Sequence, residues 1–246
     1  MSRQRRGNEL GVLLLLYELG NAGFTHIPPA TLGAVAGQAL LYSGYIPVSW
    51  ERWEVCLSAE SVLYKKDYKR LLLSAIEHGD DMHLYYNMIS LLWKGRGLET
   101  RLFGSKNFAL FLILASVLCS ATYVGLAFAL FRLLNDYSYL KTCAIGFSGV
   151  LFTLKTLTSS RDAELNENGR QSFMGGYVRV PLRYAAWAEL ILIHILVPGS
   201  SFLGHLSGIL VGMAYIYTPL GNMIDRLLQT ITGEPVYRWA YIRGYT

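Results

Sequence analysis

Residues 107–131 form an unbroken apolar stretch without one charged side chain. It exceeds the roughly 20 apolar residues that a helix needs to cross a bilayer. Five further apolar stretches repeat the signal, at about 28–47, 82–100, 146–159, 184–198 and 203–220. The expected fold is an all-α polytopic membrane protein, a six-helix bundle with short loops. Composition agrees, since only 16% of residues are charged against about 25% in a soluble domain. The net charge of +5 does not point to nucleic acid, because the basic residues lie in short clusters between apolar runs rather than along one face.

Those clusters set the orientation, since Lys and Arg collect on the cytosolic side of spans. With the N-terminus in the cytosol, 15 of the 22 Lys and Arg fall in 1–8, 94–106, 155–183 and 221–246, and 7 in 48–81 and 132–145. Both termini are then cytosolic. The polar segment 48–81, with Trp50 and Trp53 as interfacial anchors, lies on the far side. Residues 1–27 read as a basic cytosolic N-terminus and an uncleaved interfacial or anchoring helix. Residues 28–220 form the six-span unit. The cytosolic tail 221–246 carries a short amphipathic surface helix over Met223–Thr232. Ser159–Gly176 reads as a mobile cytosolic loop. Three cysteines (Cys56, Cys119 and Cys143) are an odd number without CxxC spacing, which argues against a disulfide framework and against a zinc site.

Polar and ionisable groups inside spans are costly and each needs a reason. Four stand out: His83, Asn87, Ser148 and His205. The fourth stretch is too short to cross alone, and it opens on Gly146-Phe147-Ser148-Gly149. Its start therefore lies inside the membrane, where irregular backbone is tolerated only beside protein or a water-filled cavity. Free N–H groups at a helix start suit the oxyanion of an acyl-transfer intermediate. The same small residues also suit plain close packing. His205 precedes Gly208 and Gly212, a G-x-x-x-G face that admits another helix. The spacing of His205 and Gly208 aims the imidazole at that neighbour. If the neighbour carries Ser148, the pair can perform nucleophilic acyl transfer; otherwise His205 is a buried interhelical contact. Phe152, four residues after Ser148, either stacks on the His205 ring or simply packs. His83 and Asn87, also four apart, share one face and can both donate hydrogen bonds, to an oxyanion or to a neighbouring helix. His78 more readily bonds loop backbone. His194 stands alone on its span. No set of residues has metal-ligand spacing, paired intramembrane aspartates are absent, and no cofactor is expected.

Taken together these residues resemble the rhomboid family of intramembrane serine proteases. The pattern is carried by His78…His83…Asn87, Gly146-Phe147-Ser148-Gly149 and His205…Gly208…Gly212, in order, over about residues 28–220. The resemblance implies a six-helix rhomboid-like bundle with a Ser148–His205 dyad in a cavity open to the lumenal side. Oxyanion donors would come from His83, Asn87 and the Ser148 N–H. Segments such as Asp67–Ser74, Cys143–Phe152 and Gly204-His205-Leu206 resemble the endoplasmic-reticulum branch. That branch implies cleavage of transmembrane proteins, unstable ones included, within the lipid bilayer of that organelle. Ubiquitin and segregase partners, carried by a tail in animal relatives, stand on family likeness alone, as residues 221–246 show no such motif. Two departures stand out. Lys69 and Tyr68 precede Arg70 where many members have Trp-Arg, and Phe103 looks inserted between Glu99 and Gly104-Ser105. The competing expectations are a catalytically silent derlin-type binding factor, which would lack the Ser/His pair, and a small transporter, which would show internal symmetry.

Overall fold

The computed structural model describes residues 10–243. In chain order the helices are α1 (Leu10–Ala22), α2 (Pro29–Tyr42), α3 (Arg52–Val55), α4 (Ala59–Leu63), α5 (Arg70–Ile76), α6 (Asp81–Leu98), α7 (Ser105–Leu134), α8 (Ser138–Lys141) and α9 (Ser148–Leu165). Two strands follow, β1 (Arg170–Phe173) and β2 (Val178–Pro181), then α10 (Ala185–Leu196), α11 (Phe202–Tyr217), α12 (Pro219–Thr232) and α13 (Arg238–Arg243). Each of the six apolar stretches falls on one helix: α2, α6, α7, α9, α10 and α11. Among the described residues only α7 is by itself long and apolar enough to cross a membrane; α11 and α12 would make a second if taken as one span bent by 83°. The class is all-α apart from one antiparallel hairpin.

Helix ends are set by local chemistry. Pro29 occupies the first turn of α2, where its missing N–H costs nothing. The buried Glu99 carboxylate then accepts from the N–H groups of Ala30 (2.9 Å) and Thr31 (2.7 Å) and from Thr31 Oγ1 (2.7 Å), closing donors that a helix start leaves open. Asp80 caps α6 by accepting from His83 N at 2.8 Å. Between α6 and α7 the backbone makes a π-helical turn, Glu99–Phe103, and Gly104 N donates to Glu99 O five residues back. A π turn absorbs one extra residue in a helix, which is how the chain accommodates the apparent insertion at Phe103. That ring stacks on Phe111 at 4.3 Å in the main core.

Three expectations meet particular structure. First, the helix expected to be interfacial or anchoring is α1, and it packs along the bundle. Leu15 and Leu19 are buried in the same core as Leu84, Met88 and Leu91 of α6. Gly11 N donates to Asp81 Oδ2 at 3.1 Å, and a Cβ on Gly11 would overlap the Asp81 carbonyl. With Gly11 at the start of α6 and α2 starting at Glu99, α1 runs beside α6 in the same direction.

Second, Ser159–Gly176 is not an irregular loop. Helix α9 continues to Leu165, and Gln171↔Val180 and Ser172↔Arg179 pair in the hairpin. Lys155 Nζ bonds Gln171 Oε1 at 2.8 Å and Glu189 Oε2 at 3.2 Å, and Lys94 lies 3.8 Å from Glu189. A two-stranded hairpin is marginal alone; here a partly buried ionic cluster shared by α6, α9 and α10 ties it down. Third, Cys56 and Cys143 form a disulfide with Cα atoms 5.7 Å apart, leaving Cys119 as the free, buried thiol. The odd count hid a pairing that only tertiary structure makes.

The tail folds back on the bundle. Met223–Thr232 lies within α12, with Ile224 and Leu228 buried and Met223, Leu227 and Ile231 exposed, so its amphipathic character is as expected. Beyond it, Arg238 is buried (2% exposed). Its guanidinium donates to Asp225 Oδ2 (2.8 Å), Tyr215 O (2.5 Å) and Asn222 Oδ1, and Tyr215 Oη donates to Asp225 Oδ1 at 2.6 Å.

Candidate active site

Ser148 is the first residue of α9. The segment leading to it is held from the 48–81 side. Leu57 and Ala144 exchange both backbone hydrogen bonds (2.8 and 2.9 Å), and Gly146 N donates to Ser74 O at 2.9 Å. The fold of 48–81 is in turn fixed by Arg70, which bonds Asp67 Oδ2 (2.7 Å) and Cys56 O (2.6 Å), and by Trp50, whose indole donates to Glu77 at 3.0 Å. Arg70 therefore keeps its anchoring contacts although the Trp-Arg pair is absent. Gly146 has φ 115°, a conformation that L side chains rarely adopt, and a Cβ there would meet the His83 ring at 2.5 Å. Only glycine fits for two separate reasons. Phe147, the residue between, is buried in the core (3% exposed). The first backbone bond inside α9 runs from Leu151 N to Phe147 O, so the N–H groups of Ser148, Gly149 and Val150 have no intrahelical acceptor.

Helix α11 approaches α9 through glycine. A Cβ on Gly208 would overlap the Gly149 carbonyl and meet Phe152 Cβ at 2.9 Å, and one on Gly212 would meet Thr156 Cβ at 2.7 Å. A Cβ on Gly149 would lie 3.1 Å from Gly204 O. Thr153 Oγ1 donates to Gly208 O at 2.9 Å, fixing the register. At that distance His205 Nε2 lies 3.0 Å from Ser148 Oγ. The imidazole, 6% exposed, stacks on Phe152 with centroids 4.7 Å apart and 27° between planes. Its Nδ1 is buried and has no hydrogen-bond partner among the described residues. The aromatic ring, not a third polar residue, orients this histidine.

His83 sits across Gly146 from the serine. Gly79 N–H donates to His83 Nδ1 at 3.4 Å, which puts the ring proton on Nε2, the nitrogen facing Gly146. Asn87 is buried and donates one amide hydrogen to His83 O at 2.6 Å; the second hydrogen remains for another acceptor. The His78 ring lies edge-on to His83 at 5.2 Å. Neither of its buried nitrogens has a partner in good hydrogen-bond geometry among the described residues, although the Ile76 backbone just before it in the chain lies beside the ring, in keeping with the expected backbone contact. Burial, and then the neighbouring His83, hold the His78 pKa well below the usual imidazole value. His194 packs edge-on to Phe202 at 5.2 Å. A cavity of ≈ 40 Å³ adjoins Ser148, lined among others by Gly149, Cys119, Ser120 and Ser207. That is room for water. Among the described residues no cluster of His, Cys, Asp or Glu could hold a metal.

Within the helical bundle a serine hydroxyl thus lies against a stacked imidazole, beside the free N–H groups of a helix start. The chain belongs to the rhomboid family: the Rhomboid domain matches residues 65–222. Members of the family are integral membrane proteins. Rhomboid-related protein 4 of Mus musculus is 42% identical over 231 residues, 92% of this chain and 68% of that protein. The Homo sapiens protein of the same name is 41% identical over 230 residues, again 92% and 68% of the two chains. Rhomboid-type serine protease 2 of Saccharomyces cerevisiae is 30% identical over 190 residues, covering 74% of this chain and 68% of the relative. No solved structure matches.

Proposed function

We propose that this chain is an intramembrane serine endopeptidase. Ser148 Oγ attacks the carbonyl carbon of a peptide bond while His205 Nε2 takes the hydroxyl proton. The developing oxyanion is met by the Ser148 N–H, His83 Nε2–H and the free Asn87 amide hydrogen. His205 passes the proton to the departing amine, leaving a Ser148 ester. A water then loses a proton to His205, attacks the ester and restores the serine. The observation that carries this reading is the 3.0 Å Ser148–His205 contact with the ring clamped by Phe152.

The substrates are transmembrane proteins, reached through six crossings by α2, α6, α7, α9, α10 and α11, with the C-terminus cytosolic. The site opens toward an oxidising lumen. Disulfides persist in such compartments, and Cys56–Cys143 joins the two segments, 48–81 and 132–145, that the Lys/Arg pattern assigns to that side. The Leu10 end of α1, beside Asp81, lies there too, so α1 adds a passage ahead of those six. Likeness to rhomboid-related protein 4 favours the endoplasmic reticulum and a role in membrane-protein degradation.

The test is labelling of detergent-purified protein with a fluorophosphonate. Wild type is expected to label, and Ser148→Ala and His205→Ala are expected not to. A folded wild type that stays unlabelled and cuts no transmembrane substrate would overturn the proposal in favour of a silent binding factor.

A further inference from the structure

The disulfide lies close to the proposed chemistry. Cys143 is three residues before Gly146 and five before Ser148, and its partner is 87 residues away in sequence, in the segment joining α2 to α6. Three contacts converge on the same short stretch. Leu57 and Ala144, each the residue after a bridged cysteine, exchange backbone hydrogen bonds. Arg70 holds the Cys56 carbonyl at 2.6 Å. Gly146, pinned by Ser74 O, packs its α-carbon against the His83 ring. These contacts hold the segment before Ser148, whereas the meeting of the dyad has a second source. Ser148 and His205 are placed by the glycine face between α9 and α11.

Reading the chain as a protease, we infer that Cys56–Cys143 is a positioning pair for the oxyanion side of the site, and that soluble thiols can switch it. With the bridge closed, residues 143–147 sit where Gly146 leaves just enough space for the His83 ring. Opening it leaves two backbone hydrogen bonds and the Gly146–Ser74 bond to hold a stretch that carries one glycine at positive φ. Cys143 is exposed and Cys56 half-buried, so the sulfurs are reachable. Exposed disulfides are the ones that exchange readily. The exchange balances with a thiol pool as reductant: two thiols give up two electrons and two protons, Cys56 and Cys143 become free thiols, and the small disulfide leaves. The oxidised form is the active one.

This predicts a loss that falls on turnover rather than on substrate binding. A misplacement of about 1 Å costs on the order of 10²-fold in rate, so a loose segment should cost kcat about tenfold to 10²-fold with KM little changed.

Two measurements on the full chain in detergent separate this from the proteolysis reading. The first is amide hydrogen exchange over residues 143–150 before and after a phosphine reductant, and in the Cys56→Ala/Cys143→Ala double variant. Protection should fall at Gly146 in both, while α11 keeps its protection. Unchanged exchange overturns the tether whether or not the protein is active. The second is kinetics on a transmembrane substrate. Reduction should lower kcat in wild type and do nothing further to the double variant. Equal kcat in oxidised and reduced wild type overturns the positioning role. Faster exchange in a protein that cleaves nothing would uphold the tether and count against proteolysis instead.

Discussion

Two clusters in the bundle treat buried polar atoms in opposite ways. At the tail, the Arg238 guanidinium, both Asp225 oxygens and the Tyr215 hydroxyl all find partners within 2.8 Å. Around Ser148, His205 Nδ1, Asn87 Oδ1 and both His78 nitrogens are buried with no hydrogen-bond partner among the described residues. Buried polar groups are normally paired, and exceptions call for an explanation. A closed network serves to hold one arrangement; open valences serve where something else must bind. On this contrast the Arg238 cluster is assigned to holding the fold and the Ser148 cluster to the proposed chemistry.

The largest expected effect tests the stabilising cluster. Arg238→Ala leaves the buried Asp225 carboxylate without its guanidinium, and breaking such a pair typically costs about 3–5 kcal/mol. At about 2–4 °C per kcal/mol for a chain of this size, the thermal midpoint in detergent should drop by roughly 6–20 °C. The kcat per folded molecule, measured well below the midpoint, should stay within about twofold. A variant that keeps its midpoint but loses turnover would reverse the roles assigned to the two clusters.

The next effect tests the other cluster. Asn87→Ala should lower kcat by about 10²–10³, the usual cost of one oxyanion donor. The midpoint should move little, since the one side-chain hydrogen bond lost among the described residues is the local one to His83 O. A large fall in midpoint with turnover preserved would make Asn87 an interhelical strut.

How much of this was legible in the chain follows the same division. Short-range periodicity carried the reading far. The i, i+4 pairs Ser148/Phe152 and His83/Asn87, and His205 with Gly208, each define a helix face; that Ser148 meets His205 across the α9–α11 contact was conditional on spacing alone and was implied by the rhomboid resemblance. The six apolar stretches located six helices, though among the described residues only α7 is by itself long and apolar enough to cross a membrane. What stayed hidden depends on distant partners. Cys56 finds Cys143 only after the 87 residues between them fold. Gln171 gains its order from Lys155 and, through it, Glu189, so a polar stretch that looks like loop becomes a hairpin. Arg238 looked like one more cytosolic cation, yet it is buried against Asp225. The close approach of α1 to α6 turned on Gly11, which an apolar pattern does not distinguish from any small residue.

The smallest expected effect concerns His78, which lies between the two behaviours: fully buried, without hydrogen bonds to its ring nitrogens, yet one ring away from the proposed oxyanion donors. Burial lowers its folded pKa, while the unfolded chain keeps a value near 6.5. Between those two values the unfolded state binds the proton and the folded state does not. Stability is therefore fully present above about pH 6.5 and declines as pH falls from there toward the folded value. Thermal midpoints measured from pH 8 down to pH 5 should fall more for wild type than for His78→Phe, which keeps a ring against His83 but cannot titrate. Parallel pH profiles for the two proteins would show that His78 binds its proton equally in the folded and unfolded states, and would remove it from the buried open cluster around Ser148.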